Sequence, residues 1–207
     1  MIKTYHLKKD RSTKLSKNFA VKEFACADGS DIVKIDTDNL DRLQQIRDHF
    51  RKPIRITSGY RTKAHNAKIG GSKNSQHTFG RAADIVVDGV DALKVALYAD
   101  SIGCRGVIYY PIKKFTHIDS RVGYYHAVCV GDRYYPEPGV TMRKGSTGDA
   151  VRWIQYMLGR AGYRLSVDGR FGAGTVAAVK AFQQAHGLDA DGIFGAKTKT
   201  KLKEVLL

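Results

Sequence analysis

One short run of the chain places several residues capable of metal chemistry close together. Residues 75–84 read S-Q-H-T-F-G-R-A-A-D, so His77 precedes Asp84, and a second histidine, His117, follows in F-T-H-I-D. Two imidazoles and one carboxylate form a three-ligand set for zinc. A structural zinc normally takes four protein ligands, so three indicate a site with one position open for water, as hydrolytic zinc sites have.

The segments around these residues predict how they are positioned. Residues 71–75 form a small polar loop, and Gly80 lets the chain turn back after His77. The apolar run 83–87 and the run 115–119 both predict strands. On a strand, His117 and Asp119 share a face. That face brings a second carboxylate beside the metal, where it can activate the bound water or orient a ligand.

These motifs, together with S-G-Y-R at residues 58–61, resemble the zinc D-alanyl-D-alanine peptidases. That family includes bacterial D,D-carboxypeptidases, vancomycin-resistance dipeptidases and phage cell-wall endopeptidases, and the resemblance covers residues 15–130. It implies zinc on His77, Asp84 and His117. It also implies that Arg61 contacts the carbonyl or carboxylate of the substrate and that Ser75 holds the substrate.

The chain departs from the family pattern at the catalytic acid or base. Many members carry Asp or Glu three residues before the last histidine, where this chain has Lys114. The F-T-H-I-D version resembles a sub-branch with H-x-D instead, so Asp119 is the candidate base. Weaker candidates for a polar group in the pocket are Tyr109, Tyr110 and His126.

Each of these residues also has a structural interpretation. Asp119 can serve as a supporting carboxylate that holds a ligand rather than as the base. Arg61 can be a surface cation near a helix start, and Ser75 can cap local backbone amides in its turn. Cys26 lacks a paired cysteine, and with three cysteines in total the sequence indicates free thiols.

A segment with two prolines and a glycine, Y-Y-P-E-P-G-V at residues 134–140, predicts an extended linker. After it the chain contains a near-repeat, V-D-G-R-F-G at 167–172 and A-D-G-I-F-G at 190–195, each leading into a predicted helix. This part resembles the three-helix peptidoglycan-binding domain found beside many wall hydrolases. We therefore predict a catalytic domain over residues 1–137 and a binding domain over residues 138–207.

The fold class expected for the catalytic domain is α+β, with a small, mostly antiparallel sheet that carries the metal. The resemblance implies the fold shared by zinc D,D-peptidases and the Hedgehog signalling domain. Predicted helices cover 40–50, 62–69 and 90–102, and a further strand covers 106–110. The 207 residues, 43% of them hydrophobic, are enough for this domain and a small helical one.

The function predicted is hydrolysis of peptide bonds in bacterial peptidoglycan by a zinc peptidase. The N-terminal residues do not resemble a secretory signal and no segment predicts a membrane span, which favours a phage or prophage lysin that reaches the wall after release. The alternative is a wall-binding protein that holds metal without catalysis.

The net charge of +15 favours polyanionic partners. Wall polymers fit this charge better than nucleic acid, because no nucleic-acid motif is present. We expect a monomer with zinc as its cofactor. The sequence leaves open which peptidoglycan bond is cleaved.

Overall fold

The computed structural model describes all 207 residues and divides into two compact units, Met1–His126 and Ala127–Leu207. The predicted fold class is confirmed: a small antiparallel sheet with helices comes first, and a helical region follows. The functional boundary between residues 137 and 138 stays a prediction.

The first unit contains six strands and four helices. The strands are β1 (Ile2–His6), β2 (Ile32–Asp36), β3 (Ile54–Ser58), β4 (Ala82–Val87), β5 (Gly106–Tyr110) and β6 (Phe115–Asp119). The helices are α1 (Leu7–Asp10), α2 (Thr37–Phe50), α3 (Lys63–Lys68) and α4 (Ala92–Ser101), with 3₁₀ turns at Val21–Phe24 and Gln76–Phe79. Strands β1 and β2 form a separate two-stranded antiparallel sheet. In the main sheet these strands follow the order β3-β4-β6-β5, with antiparallel neighbours.

The two faces of the main sheet have different environments. Ile118 is fully buried, and Thr116, on the same face of β6, donates a hydrogen bond of 2.7 Å to the carbonyl oxygen of Ala92 at the start of α4. This face therefore packs on the helices. Because side chains alternate along a strand, His117 and Asp119 occupy the opposite face.

Local sequence signals explain where α2 and α3 begin. Asp36 caps α2 by accepting a hydrogen bond from the amide of Asp38, as the aspartates at its start predict. Leu43 and Ile46 lie on one side of α2 and are fully buried. Helix α3 begins after Thr62, whose hydroxyl accepts from the His65 amide. The predicted helices are thus present, with ends shifted by a few residues.

The second unit contains most of a β-hairpin and three helices. Strand β7 (Tyr125–Val130) runs across the division between the units, β8 is Arg133–Pro136, and the helices are α5 (Asp149–Arg160), α6 (Ala173–Ala185) and α7 (Ala196–Leu206). The predicted linker therefore begins as a strand, because Tyr134 and Tyr135 pair with Cys129 and Val128 of β7. Trp153, Phe182 and Phe194 lie in the core between the helices.

Each half of the near-repeat is tied by one buried glutamine. The Gln155 amide donates to the Asp168 carboxylate (2.7 Å) and the Thr175 hydroxyl (3.1 Å), and its carbonyl accepts from the Gly169 amide (2.8 Å). The second half repeats this arrangement, with corresponding distances of 2.8, 3.1 and 2.9 Å, through Gln183, Asp191, Thr198 and Gly192. We call these two arrangements the glutamine knots. They satisfy every polar atom of a buried amide while fixing an Asp-Gly turn against two helices.

Two further sequence expectations concern cysteines and membranes. Cys26, Cys104 and Cys129 are all free, as the sequence indicated, and all three are buried. None of the helices combines the length and apolar character needed to cross a bilayer.

Candidate metal centre

Three buried side chains meet on the face of the main sheet that points away from α4. They are His77, Asp84 and His117, and their ligand atoms all lie within 4.8 Å of one another. All three residues are buried, with 3%, 8% and 7% of their surface exposed. The structure thus brings together the three residues that the sequence suggested as zinc ligands.

The sheet register explains how two of them meet. Asp84 on β4 and His117 on β6 are direct cross-strand partners, so their side chains leave the sheet on the same face. His77 arrives from outside the sheet, in the 3₁₀ turn before β4. Gly80 ends that turn in the left-handed conformation (φ 73°), and a Cβ there would lie 2.6 Å from the backbone of Lys34. This turn therefore requires a glycine.

The ligand atoms lie so close together that a cation must separate their lone pairs. His77 Nε2 lies 3.2 Å from His117 Nδ1, and Asp84 Oδ1 lies 2.8 Å from His117 Nδ1 and 3.3 Å from His77 Nε2. His77 Nδ1 lies 2.7 Å from the Gly59 carbonyl oxygen, an acceptor, so Nδ1 must carry the proton there. In a neutral His77 ring, Nε2 then presents a lone pair to the cluster.

The same reasoning applies to His117. Its Nε2 lies 2.9 Å from Asp119 Oδ2 and donates to that carboxylate, which leaves the lone pair of a neutral ring on Nδ1. Lone pairs from two imidazoles and one carboxylate thus point at one another. Such an arrangement is stable only with a proton or a metal ion among them, and these donor types are those of zinc sites. The residues present therefore fit the metal that the sequence implies.

When no metal binds, a proton on His117 can supply the positive charge among the three ligands. Burial opposes charge on His117, but hydrogen bonds with Asp119 and Asp84 outweigh it and raise the His117 pKa to about 9. Burial lowers the pKa of His77. Burial acts to raise the pKa of Asp84, yet the neighbouring histidines hold it well below its usual range. A metal ion would therefore take the place of the His117 proton.

Arg61 lies against a ligand. Its Nη2 donates to Asp84 Oδ2 over 2.7 Å and its Nε donates to Ser58 Oγ over 2.8 Å. Arg61 thus holds the outer oxygen of Asp84 and leaves Oδ1 facing the histidines. The guanidinium makes these hydrogen bonds through Nε and Nη2, and 16% of the Arg61 side chain is exposed.

Ser75 lies two residues before His77, at the start of the 3₁₀ turn. Its hydroxyl makes no capping hydrogen bond, although its carbonyl oxygen accepts from the Thr78 hydroxyl over 2.8 Å. The structural interpretation of Ser75 as a side-chain cap is therefore wrong. Ser75 as a whole is half-buried.

Asp119 lies on the far side of the His117 ring from the convergent atoms. It contacts Nε2, whereas Asp84 and His77 meet Nδ1. His117 and Asp119 do share a strand face. Because they are two residues apart, however, the Asp119 carboxylate lies at the Nε2 edge of the His117 ring and not at the Nδ1 edge. This placement favours the orienting role that the sequence left open, because a base must reach the water on the Nδ1 side.

The remaining candidates have the following surroundings. Lys114 is exposed in the β5–β6 turn, where its φ is 56°. His126 bonds to the Cys104 carbonyl oxygen (3.0 Å) and lies 3.1 Å from the Asp100 carboxylate. Tyr110 stacks on Phe115 with ring centroids 4.3 Å apart, and Tyr109 is buried.

Sequence reasoning missed three residues that shape the site. Gly59 supplies the carbonyl that orients His77, Gly106 pairs with Asp119 across the sheet, and Arg121 binds the Asp119 carboxylate. Arg121 follows Asp119 by two positions, and an arginine this close to a candidate carboxylate is a sequence signal for an ion pair. The role of Gly106 depends on strand register, and that of Gly59 on the approach of a turn 18 residues later in the chain, and no local motif reveals either.

Two family models match separate parts of the chain. Residues 16–119 match the model described as Peptidase M15, and these are half of the chain. Residues 147–202 match the model of a peptidoglycan binding domain. The first match contains all three convergent side chains, and the second contains both glutamine knots.

Similar proteins resemble only part of this chain. The zinc D-Ala-D-Ala carboxypeptidase of Streptomyces albus G is 46% identical over 70 residues, 31% of this chain and 27% of that protein. The peptidoglycan L,D-endopeptidase MepK of Escherichia coli (strain K12) is 38% identical over 88 residues, 40% of this chain and 48% of that protein. The solved structure of a Burkholderia AP3 phage endolysin shares 48% identity at a TM-score of 0.30, covering 30% of this chain and 24% of that one. The chain thus spans less than half the length of the curated relatives it matches.

Proposed function

This chain belongs to the Peptidase M15 family, and from that premise we propose that it is a zinc-dependent peptidase that hydrolyses peptide bonds of bacterial peptidoglycan. The observation that carries the proposal is the convergence of three buried lone pairs from His77, Asp84 and His117. The accompanying binding domain supports the cell wall as the substrate. The names of the similar carboxypeptidase and endopeptidase support peptide-bond hydrolysis.

The roles of the residues follow from their contacts. His77, Asp84 and His117 would hold zinc, which supplies Lewis acidity toward the scissile carbonyl and toward water. The Gly59 carbonyl and the Asp119 carboxylate fix the two imidazole rings through their outer nitrogens.

Two residues at the site remain for the substrate. Arg61 holds Asp84 through Nη2, and the exposed part of its guanidinium would bind a carbonyl or carboxylate of the stem peptide. The Ser75 hydroxyl, which caps nothing, is the second substrate contact. Neither contact requires a rearrangement of the three ligands.

Digestion of purified sacculi tests the function directly. Mass spectrometry of the products should show newly cleaved stem peptides or cross-links on intact glycan chains. A chelator should stop the reaction and zinc should restore it. The His117→Ala variant is the negative control. Cleaved glycan, or undigested sacculi with zinc-loaded protein, would contradict the proposal, and the fragment masses distinguish D-Ala-D-Ala, cross-link and L-Ala-D-Glu cleavage.

One observation favours a second candidate, a wall-binding protein that holds metal without catalysis. Asp119 is engaged by His117 and Arg121, and Lys114 stands where many relatives carry an acid. Asp84 is thus the carboxylate that joins the two histidines at the convergent atoms. This candidate predicts zinc binding and retention on sacculi with no release of soluble peptides, so the same digestion separates the two.

The second unit should bind the wall by itself. We expect the fragment 127–207 to sediment with purified sacculi and to release no peptides, because it contains the whole domain match and both glutamine knots. The control is the same fragment with Gln155→Ala and Gln183→Ala, which leaves buried turn groups unpaired and should unfold and lose binding. A folded wild-type fragment that stays in the supernatant at low salt would refute wall binding by this unit.

A phage or prophage lysin role and a monomeric state stay predictions. For the first, cytoplasmic expression should lyse cells only when a membrane pore is supplied. Gel filtration with light scattering decides the second.

A further inference from the structure

We propose that Arg121 is a positioning residue of the metal centre, which acts by clamping the Asp119 carboxylate that orients His117. The inference rests on the proposed function, since it assumes that His117 is a metal ligand. It adds a residue whose hydrogen bonds go to Asp119 and not to the three ligands.

The clamp contains four hydrogen bonds from one residue. Arg121 Nε donates to Asp119 Oδ1 (2.8 Å) and Oδ2 (3.0 Å), its Nη2 donates to Oδ2, and its backbone amide donates to Oδ1 (2.9 Å). Guanidinium forks of this kind fix the plane of a carboxylate as well as its position. Oδ2, the oxygen that accepts from His117 Nε2, is therefore held from both sides.

Burial makes this clamp necessary. The Asp119 side chain has no exposed surface, so water cannot compensate its charge or fix its orientation. Without a cation on its outer side, the carboxylate could rotate away from His117 to find other donors. Arg121 is the residue at the boundary, with 23% of its side chain exposed and its guanidinium carbon 5.0 Å from the ring centroid of Tyr125.

The other carboxylate of the site has its own arginine. Arg61 binds the outer oxygen of Asp84, as Arg121 binds the outer side of Asp119. The difference is that Arg61 acts on a ligand directly, whereas Arg121 acts through one intermediate carboxylate. The effect of Arg121 on the metal should therefore disappear when that carboxylate is removed.

A double-mutant cycle on the full chain tests this dependence. Zinc affinity is measured by competition with a chelator for the wild type, Arg121→Gln, Asp119→Asn and the double variant. We expect Arg121→Gln to weaken zinc binding by about tenfold, the lower end of the range for groups that orient a ligand. In the Asp119→Asn background, the same change should have little further effect. Equal effects of Arg121→Gln in both backgrounds would overturn the proposal.

Controls separate positioning from general stability. Arg133→Gln removes an arginine that also binds a carboxylate, Asp149 at 2.8 Å, and should leave zinc affinity unchanged. Arg121→Lys keeps the charge without the planar fork and should be intermediate, and it replaces Arg121→Gln in the cycle should the latter not fold. Full zinc affinity in a folded Arg121→Gln protein would also refute the clamp.

A crystal structure of metal-free Arg121→Gln gives a readout that needs no zinc. The distance from Asp119 Oδ2 to His117 Nε2, 2.9 Å in the wild type, should lengthen or the contact should be lost. An unchanged contact would overturn the positioning role. If the wild type binds no zinc, the proposed function fails, yet this structure still decides whether Arg121 holds Asp119.

Discussion

Alanine in place of His77, Asp84 or His117 is expected to abolish stoichiometric zinc binding and all detectable peptide release from sacculi. Each change leaves two protein ligands, and two ligands do not hold zinc at a catalytic site. Zinc content by elemental analysis and muropeptide release by mass spectrometry are the two measurements. Retention of both by any one variant would remove the proposed centre.

The three variants should differ in stability. Asp84→Ala also leaves the Arg61 guanidinium half-buried beside Ser58 without its carboxylate, so it should unfold most easily. His77→Ala removes a side chain whose pKa burial lowers and one hydrogen bond to the Gly59 carbonyl oxygen, and should unfold less easily than Asp84→Ala. The control is His65→Ala, a histidine of α3 whose side chain makes no hydrogen bond, which should keep zinc and activity. Circular dichroism then separates loss of metal from loss of fold.

Gly106→Ala is expected to disrupt the site without touching a ligand. A Cβ at Gly106 would lie 2.2 to 2.3 Å from the three carboxylate atoms of Asp119, its partner across the sheet. Asp119 is fully enclosed and cannot retreat, so the new methyl group must displace it. We expect a stability loss of about 1–3 kcal/mol, the usual scale for overpacking. We also expect zinc binding at least about tenfold weaker, because His117 loses its partner.

Gly159→Ala is the matched control for this change. Gly159 lies on α5, is exposed, and has nothing within 4 Å of the added Cβ. The same substitution there should leave zinc binding unchanged and raise stability by about 0.5–1 kcal/mol, since alanine favours helix. Thermal unfolding and chelator competition on both variants provide the comparison. Wild-type zinc affinity in Gly106→Ala would show that Asp119 is not needed at its present position.

The ligand set and the strands that carry it could be predicted because their signals are local. The apolar run 83–87 predicted β4, the run 115–119 predicted β6, and the motif around His77 and Asp84 is compact. The antiparallel register that makes Asp84 and His117 direct partners is a pairing between distant segments. The sequence suggested that these residues meet, but it did not show which ring nitrogen faces which carboxylate.

The role of Asp119 shows where strand periodicity stops being informative. The alternation of side chains along a strand correctly placed Asp119 on the same face as His117. The separation of two residues, however, puts the Asp119 carboxylate beside Nε2 of the His117 ring, away from the other two ligands. The small neighbours Ala82 and Gly106, both paired with Asp119, make room for the carboxylate at that depth. Only the assembled sheet shows that row of small residues.

The second unit illustrates a different limit. The Asp-Gly turns of the near-repeat could be recognised, but Gln155 and Gln183 lie on helices where glutamine usually faces solvent. Each is buried because a turn from a later segment brings the partners that satisfy it. Likewise, β8 was predicted as part of a linker because its pairing with β7 is not encoded in the Pro-Glu-Pro segment.

The glutamine knots divide the second unit into places that tolerate insertion and places that do not. Asp-Gly turns are usually among the most permissive sites in a protein. Here the turns at Asp168 and Asp191 are the anchored points, and the segments just before them, 161–167 and 186–190, already differ in length between the halves. A foreign loop, a fluorophore tag or a second binding peptide should therefore be grafted into those two segments, where the repeat itself shows that chain length is free to vary.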